Sequence, residues 1–126
     1  EILVLDEPTT GQDYRESLQI MDLVAELNRM GHTVIFITHD MQLVASYAGR
    51  VIMMGKGRVL ADGTPREVLP RTDLLAATFL KPPQITQLAQ ALNDCGFAGD
   101  AIRVEELVTV FREKTGTGRH RLAGVG

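Results

Sequence analysis

The sequence lacks most of what would tie it to a membrane, an oxidising compartment or nucleic acid. No apolar run approaches the roughly 18 to 20 residues that a membrane helix needs, and the first residues carry neither a basic start nor a signal-peptide cleavage pattern. The single cysteine, Cys95, excludes an internal disulfide. With no metal-ligand spacing around it, it predicts a buried, inert thiol in a reducing compartment, which fits the cytosol. Basic charge is not in excess either: 13 Lys and Arg stand against 16 Asp and Glu, a formal charge of −3. That leaves no electrostatic footprint for gripping nucleic acid or anionic lipid, so any membrane contact has to run through a protein partner. No internal repeat is present. The first residue is Glu1 rather than methionine and the first apolar run begins at once, which leads us to expect a missing upstream portion.

What remains is globular material. With 126 residues, 44% hydrophobic and 23% charged, the chain can build one small domain or a piece of a larger one. Ile2-Leu3-Val4-Leu5, ended by acidic residues and a proline, predicts a strand covered on both faces in a parallel sheet. Asp13 and Glu16 form a capping box for a helix whose apolar stripe is Ile20, Leu23, Val24 and Leu27, closed by Gly31. Thr33 to Ile37 predicts a second buried strand. Asp40 caps a further helix with the stripe Met41, Val44, Ala45 and Ala48, and Gly49 is its expected stop. Strand, helix, strand, helix in this order implies a parallel sheet.

Val51 to Met54 and Arg58 to Ala61 flank Gly55-Lys56-Gly57 and predict an antiparallel hairpin. Thr64, Pro65 and Glu67 predict a short helix with its own capping box. Beyond Pro70 come short helical segments, at 73–79, 84–92 and 96–100, then a last helix over 104–111 with the stripe Val104, Leu107, Val108 and Phe111. That stripe predicts packing against something. The final residues, 115–126, have little to bury and predict a flexible tail. His32 and His120 are expected to face solvent, and Met21, Met30, Met41, Met53 and Met54 to fill the core.

The residues that carry chemistry lie at two strand ends. Asp6 and Glu7 close the first apolar run, where ligands bind in open α/β sheets, and Ile35-Phe36-Ile37-Thr38-His39-Asp40 closes the second. An isolated Asp-Glu pair or a single strand-end histidine is more often structural; the two motifs together are a specific signal. Ile2 to Asp13 resembles the Walker B strand and D-loop of the ABC ATPase family, and Thr38-His39-Asp40 resembles its H-loop. The resemblance implies that Asp6 holds magnesium, that Glu7 polarises the attacking water, and that His39 contacts the γ-phosphate. It also implies that Asp13, beyond capping its helix, lies across a dimer interface from the partner's nucleotide. Gln12 departs from the leucine usual before that aspartate.

No G-x-x-x-x-G-K-[S/T] phosphate loop is present: Gly55-Lys56-Gly57 is a hairpin turn, and Gly116-Thr117-Gly118-Arg119 lacks the lysine. The family's Walker A, glutamine loop and signature are absent too, and in the family they lie upstream of the Walker B strand.

The hairpin and the Gly63 to Val68 helix resemble the segment C-terminal to the H-loop in transporter ATPases, and Pro82 to Leu88 with the closing helix resembles the C-terminal extension of energy-coupling factor importers. The expected fold is therefore α/β, the C-terminal portion of a P-loop NTPase (RecA-like) ABC ATPase domain. The expected layout is an ATPase core over 1–70, a helical pairing extension over 71–114, and the tail. The implied function is the ATP-hydrolysing subunit of a prokaryotic membrane importer, using ATP and Mg2+, peripheral at the cytoplasmic face of the membrane. Its implied partners are a second ATPase subunit and a transmembrane subunit, with no nucleic acid. The fragment alone is expected to be inactive. Two other readings compete: an inactive pairing or docking module, and a non-transport ABC ATPase serving DNA or ribosomes, which the acidic balance disfavours.

Overall fold

Alternation decides how the two apolar runs are used. The computed structural model describes residues 1–97 and 100–116. In it β1 (Ile2–Asp6) and β2 (Thr33–Ile37) pair in parallel, with Val4 opposite Ile35 and Asp6 opposite Ile37. Successive side chains of a strand point to opposite faces. Leu5, Val34 and Phe36 therefore meet the helices, while Ile2, Val4, Ile35 and Ile37 face outward and are half or more exposed. The expected cover on both faces is thus found on one, because β1 and β2 pair only with each other among the described residues and the helices pack on one side of them.

Helix α1 (Tyr14–Arg29) joins β1 to β2 and starts where Asp13 Oδ1 accepts the Glu16 N–H at 2.8 Å. The return bond of the expected capping box is not made among the described residues. Gly31, at φ +96, closes the helix in the left-handed conformation expected of it. The buried stripe is Ser17, Met21 and Val24; Leu23 lies 60% exposed, so the stripe is rotated from the expected one, with Met21 buried in place of its neighbour Ile20. Met21 is fully buried beside Val24 and Leu43, and burying one such side chain is worth roughly 1.5–3 kcal/mol.

Helix α2 (Met41–Tyr47) is capped by Asp40, whose Oδ1 accepts from the Gln42 and Leu43 N–H groups, and it ends at Ala48 in extended conformation, before Gly49 can act as the stop. Tyr47 Oη donates to Asp22 at 2.8 Å and ties α2 to α1; burial, and then that bond, push its pKa up to about 12.

The hairpin forms as expected, β3 (Val51–Gly55) antiparallel to β4 (Arg58–Gly63) with a two-residue turn. Lys56 and Gly57 both have positive φ, the geometry that matches strand twist. Gly55 belongs to the strand, and any Cβ there would meet Leu60 and Thr78 at 2.8 Å. Arg50 grips Asp62 with two bonds, of 2.8 and 2.6 Å, which holds that carboxylate below its usual range.

Helix α3 (Pro65–Val68) follows the expected box: Glu67 Oε2 accepts from the Thr64 N–H and hydroxyl. Then come α4 (Thr72–Ala77), α5 (Gln84–Ala91), a helical turn at Asn93–Cys95 and α6 (Val104–Thr115). That turn ends at Gly96, at φ +78; the segment expected over 96–100 includes residues 98–99, which lie outside the described residues.

Several exposure expectations are corrected. On α6 only Leu107 is buried; Val104, Val108 and Phe111 are 56%, 40% and 48% exposed, with Phe111 stacked on Phe97 at 5.3 Å. Cys95 is exposed rather than buried, since it sits on that short turn. His32 is half-buried, and Met30 and Met54 are exposed rather than core filler. The expectations for His120 and for residues 117–126 lie outside the described residues. Among the described residues no helix is long and apolar enough to cross a membrane.

Candidate functional site

The ends of β1 and β2 bring Glu7 and His39 together. The ladder carries on one residue past β1, with the Glu7 N–H donating to the Ile37 carbonyl at 2.8 Å, so the two chains leave the sheet side by side. Glu7 then turns sharply, at φ +46. A non-glycine residue in this region carries strain, and such strain tends to sit at functional positions. Thr10 closes the turn: its N–H donates to the Glu7 carbonyl at 3.1 Å and its hydroxyl to Glu7 Oε2 at 3.3 Å. On the other strand, Thr38 Oγ1 accepts the Asp40 N–H at 3.1 Å, forming a small corner that presents the intervening His39.

His39 Nδ1 lies 2.9 Å from Glu7 Oε1. A carboxylate only accepts, so Nδ1 carries the proton and Nε2 is the free nitrogen. The Glu7 hydrogen bond, then its charge and that of Asp40, raise the His39 pKa above the ordinary histidine value. When the ring is doubly protonated, Nε2–H is a charged donor on a side chain 74% exposed.

Asp6 points with Val4 and Ile37 toward the bare face of the sheet, and it makes no hydrogen bond or ion pair among the described residues. As a donor it suits magnesium, which takes hard oxygens and keeps several waters, so one protein carboxylate suffices. No group of three or more His, Cys, Asp or Glu among the described residues forms a cage. The Asp13 carboxylate is engaged as the cap of α1, and no bond links it to Glu7 or His39. The sequence reading missed Thr10; its place three residues after Glu7, the span of a tight turn, was the available signal.

Comparison with known proteins decides the family. No family model matches the chain. A Methanosarcina mazei protein named an ABC transporter ATP-binding protein is 48% identical over 113 residues, which cover 89% of this chain and 19% of that protein. The chain is a homologue of ABC transporter ATP-binding proteins. An energy-coupling factor transporter ATP-binding protein of Methanospirillum hungatei is 44% identical over 96 residues, 76% of this chain and 24% of the relative. Among solved structures, CbiO1 of Clostridium perfringens, described as part of the ABC transporter complex CbiONQ, matches with a TM-score of 0.53 and 33% identity over 75% of this chain and 34% of that one. The parallel pair and hairpin of this ABC-ATPase homologue are accordingly those of the C-terminal portion of such an ATPase. The chain spans about a fifth to a third of the length of these curated relatives.

Proposed function

We propose that this chain supplies the water-activating half of an ATP-hydrolysing site, in the nucleotide-binding subunit of a membrane importer of the energy-coupling factor kind. The observation that carries it is the 2.9 Å contact between His39 and Glu7, two strand ends separated by 32 positions. In this reading β1 is the Walker B strand and the Thr38 to Asp40 corner is the H-loop.

Glu7 orients the attacking water and takes up its proton. With Oε1 engaged by His39 and Oε2 near Thr10, its carboxylate cannot swing, and it still has free lone pairs for water. Holding the nucleophile in line is most of what phosphoryl transfer asks of a protein. His39 holds Glu7 through Nδ1 and offers Nε2 to a terminal phosphate oxygen. Asp6 is the residue that would hold magnesium, whose charge offsets that of the phosphates. Asp13, exposed at the start of α1, faces a second ATPase subunit. Residues 1–70 form the ATPase portion and 71–114 the pairing extension, and the assembly sits at the cytoplasmic face of a membrane through a transmembrane partner. The names of the relatives support this assignment.

The test is a chimera. This chain replaces its counterpart in the Methanococcus maripaludis energy-coupling factor ATPase, to which it is 42% identical over 93 residues. The chimera is expected to hydrolyse Mg-ATP. Its Glu7→Gln variant should bind Mg-ATP unchanged and lose turnover by about 100-fold or more, since an amide takes no proton. Full turnover in that variant removes Glu7 from the chemistry.

A second reading, a pairing module without activity, is favoured by the exposed Val104, Val108 and Phe111 on α6. Tight Mg-ATP binding by the 126 residues alone, read by calorimetry, would contradict it.

A further inference from the structure

The extension reaches the flanks of His39 through two clusters: that of Leu75 takes in Met41, and that of Ile102 takes in residues on both sides of the His39 corner. Ile102 is 4% exposed and lies in a single cluster with Val44, Ala45 and Leu69, against which Phe36 and Met41 also pack. Phe36 precedes His39 by three residues on β2, and Met41 follows it by two at the start of α2. Ile102 thus shares a packed cluster with both sides of the His39 corner.

Ile102 is in turn held from behind. Its N–H donates to Glu106 Oε2 at 3.0 Å, and the other oxygen of Glu106 accepts from Arg66 Nη2 at 2.7 Å. Arg66 Nη1 also donates to the carbonyl of Asp100 at 3.1 Å. The Asp100 carbonyl directly, and the Ile102 N–H through Glu106, are therefore tied to α3, whose own start is fixed by the Thr64 and Glu67 bonds.

The β1–β2 ladder sets the strand ends through the bond from Glu7 N–H to Ile37, but His39 lies beyond that bond. The Thr38 and Asp40 bonds fix the shape of the corner, not its tilt over β1. The tilt depends on how α2 seats against the sheet, and a close-packed cluster transmits displacement of one member to its neighbours.

We infer that Ile102, clamped by Arg66 and Glu106, is a positioning residue: through Phe36 and α2 it sets the contact between His39 and Glu7. Its bearing on catalysis rests on the function proposed above; its bearing on the contact does not.

Nitrogen NMR of the 126-residue chain at one fixed pH tests it, with the His39 Nδ1 signal as the reporter of the Glu7 hydrogen bond. Glu7→Gln defines the signal when the charged acceptor is gone. Ile102→Ala is expected to move His39 at least half of the way toward that position, with Ile102→Val restoring most of the shift and Glu106→Gln moving it partway. Unchanged His39 signals in folded Ile102→Ala and Glu106→Gln would overturn the inference. Should Ile102→Ala fail to fold, Glu106→Gln decides, and an unchanged His39 signal in it is the overturning result. A Glu7→Gln spectrum identical to that of the parent would instead refute the Glu7 contact itself, a separate failure.

Discussion

At the scale of single residues, Glu7 shows the tension between stability and chemistry. Its φ of +46 is a conformation that costs an L side chain about 1–2 kcal/mol, yet the turn is what aims its carboxylate at His39 rather than along the strand. Removing the side chain while keeping a Cβ retains the strain and loses the bonds; glycine removes the strain as well. Glu7→Gly should therefore be more stable than Glu7→Ala by about 1 kcal/mol, a difference readable in urea unfolding. Equal midpoints would mean that the backbone relaxes freely. The sequence made Glu7 and His39 candidates because each ends an apolar run, but it gave no sign of the strained turn, since nothing in Asp6-Glu7-Pro8 demands positive φ.

At the scale of elements, the hairpin and the α3 to α6 junction behave differently. The hairpin turn is local: Lys56 occupies a left-handed position better suited to Asn. Lys56→Asn should stabilise the chain by about 0.5–1 kcal/mol, detectable as a raised melting temperature, and a lowered one would count against the turn type. The junction is long-range. Burial pushes Glu106 up, but the Ile102 N–H and the nearby guanidiniums of Arg66 and Arg103 outweigh it, leaving its pKa below the usual glutamate range.

A carboxylate depressed in the folded state contributes stability that is present above its unfolded value of about 4.3 and lost as pH falls through the folded one. The stability gap between the parent and Glu106→Gln should accordingly be full at neutral pH and shrink on acidification below about pH 4. A gap independent of pH would show that the clamp is not electrostatic. Helix caps and the hairpin turn were legible in the sequence because their partners lie within four positions. The Arg66 to Glu106 pair, 40 positions apart, carries no local pattern.

For the whole molecule, the main feature is a sheet covered on one face. Ile2, Val4, Ile35 and Ile37 form an open apolar surface, the kind that drives association when unprotected. Val4→Thr combined with Ile35→Thr should raise the concentration at which light scattering begins while shifting the melting temperature little, since both side chains are half or more exposed. A large loss of stability would mean that the face is covered in solution. The expectation of cover on both faces came from reading continuous apolar runs as doubly buried strands. That rule reports what a strand is suited to, and two strands with helices on one side leave half of that suitability unused.

The order of elements, the caps of α1, α2 and α3, the hairpin and the two strand-end motifs were determined by the sequence alone, because each depends on residues a few positions apart and on the periods of helix and strand. Only the tertiary structure decided which face of β1 and β2 is covered, how far the α6 stripe is exposed, that Glu7 and His39 touch, and that Ile102 packs beside the His39 corner. Those outcomes depend on where elements distant in the chain come to rest, and that is governed by packing and charge pairing across space, which no window of the sequence contains.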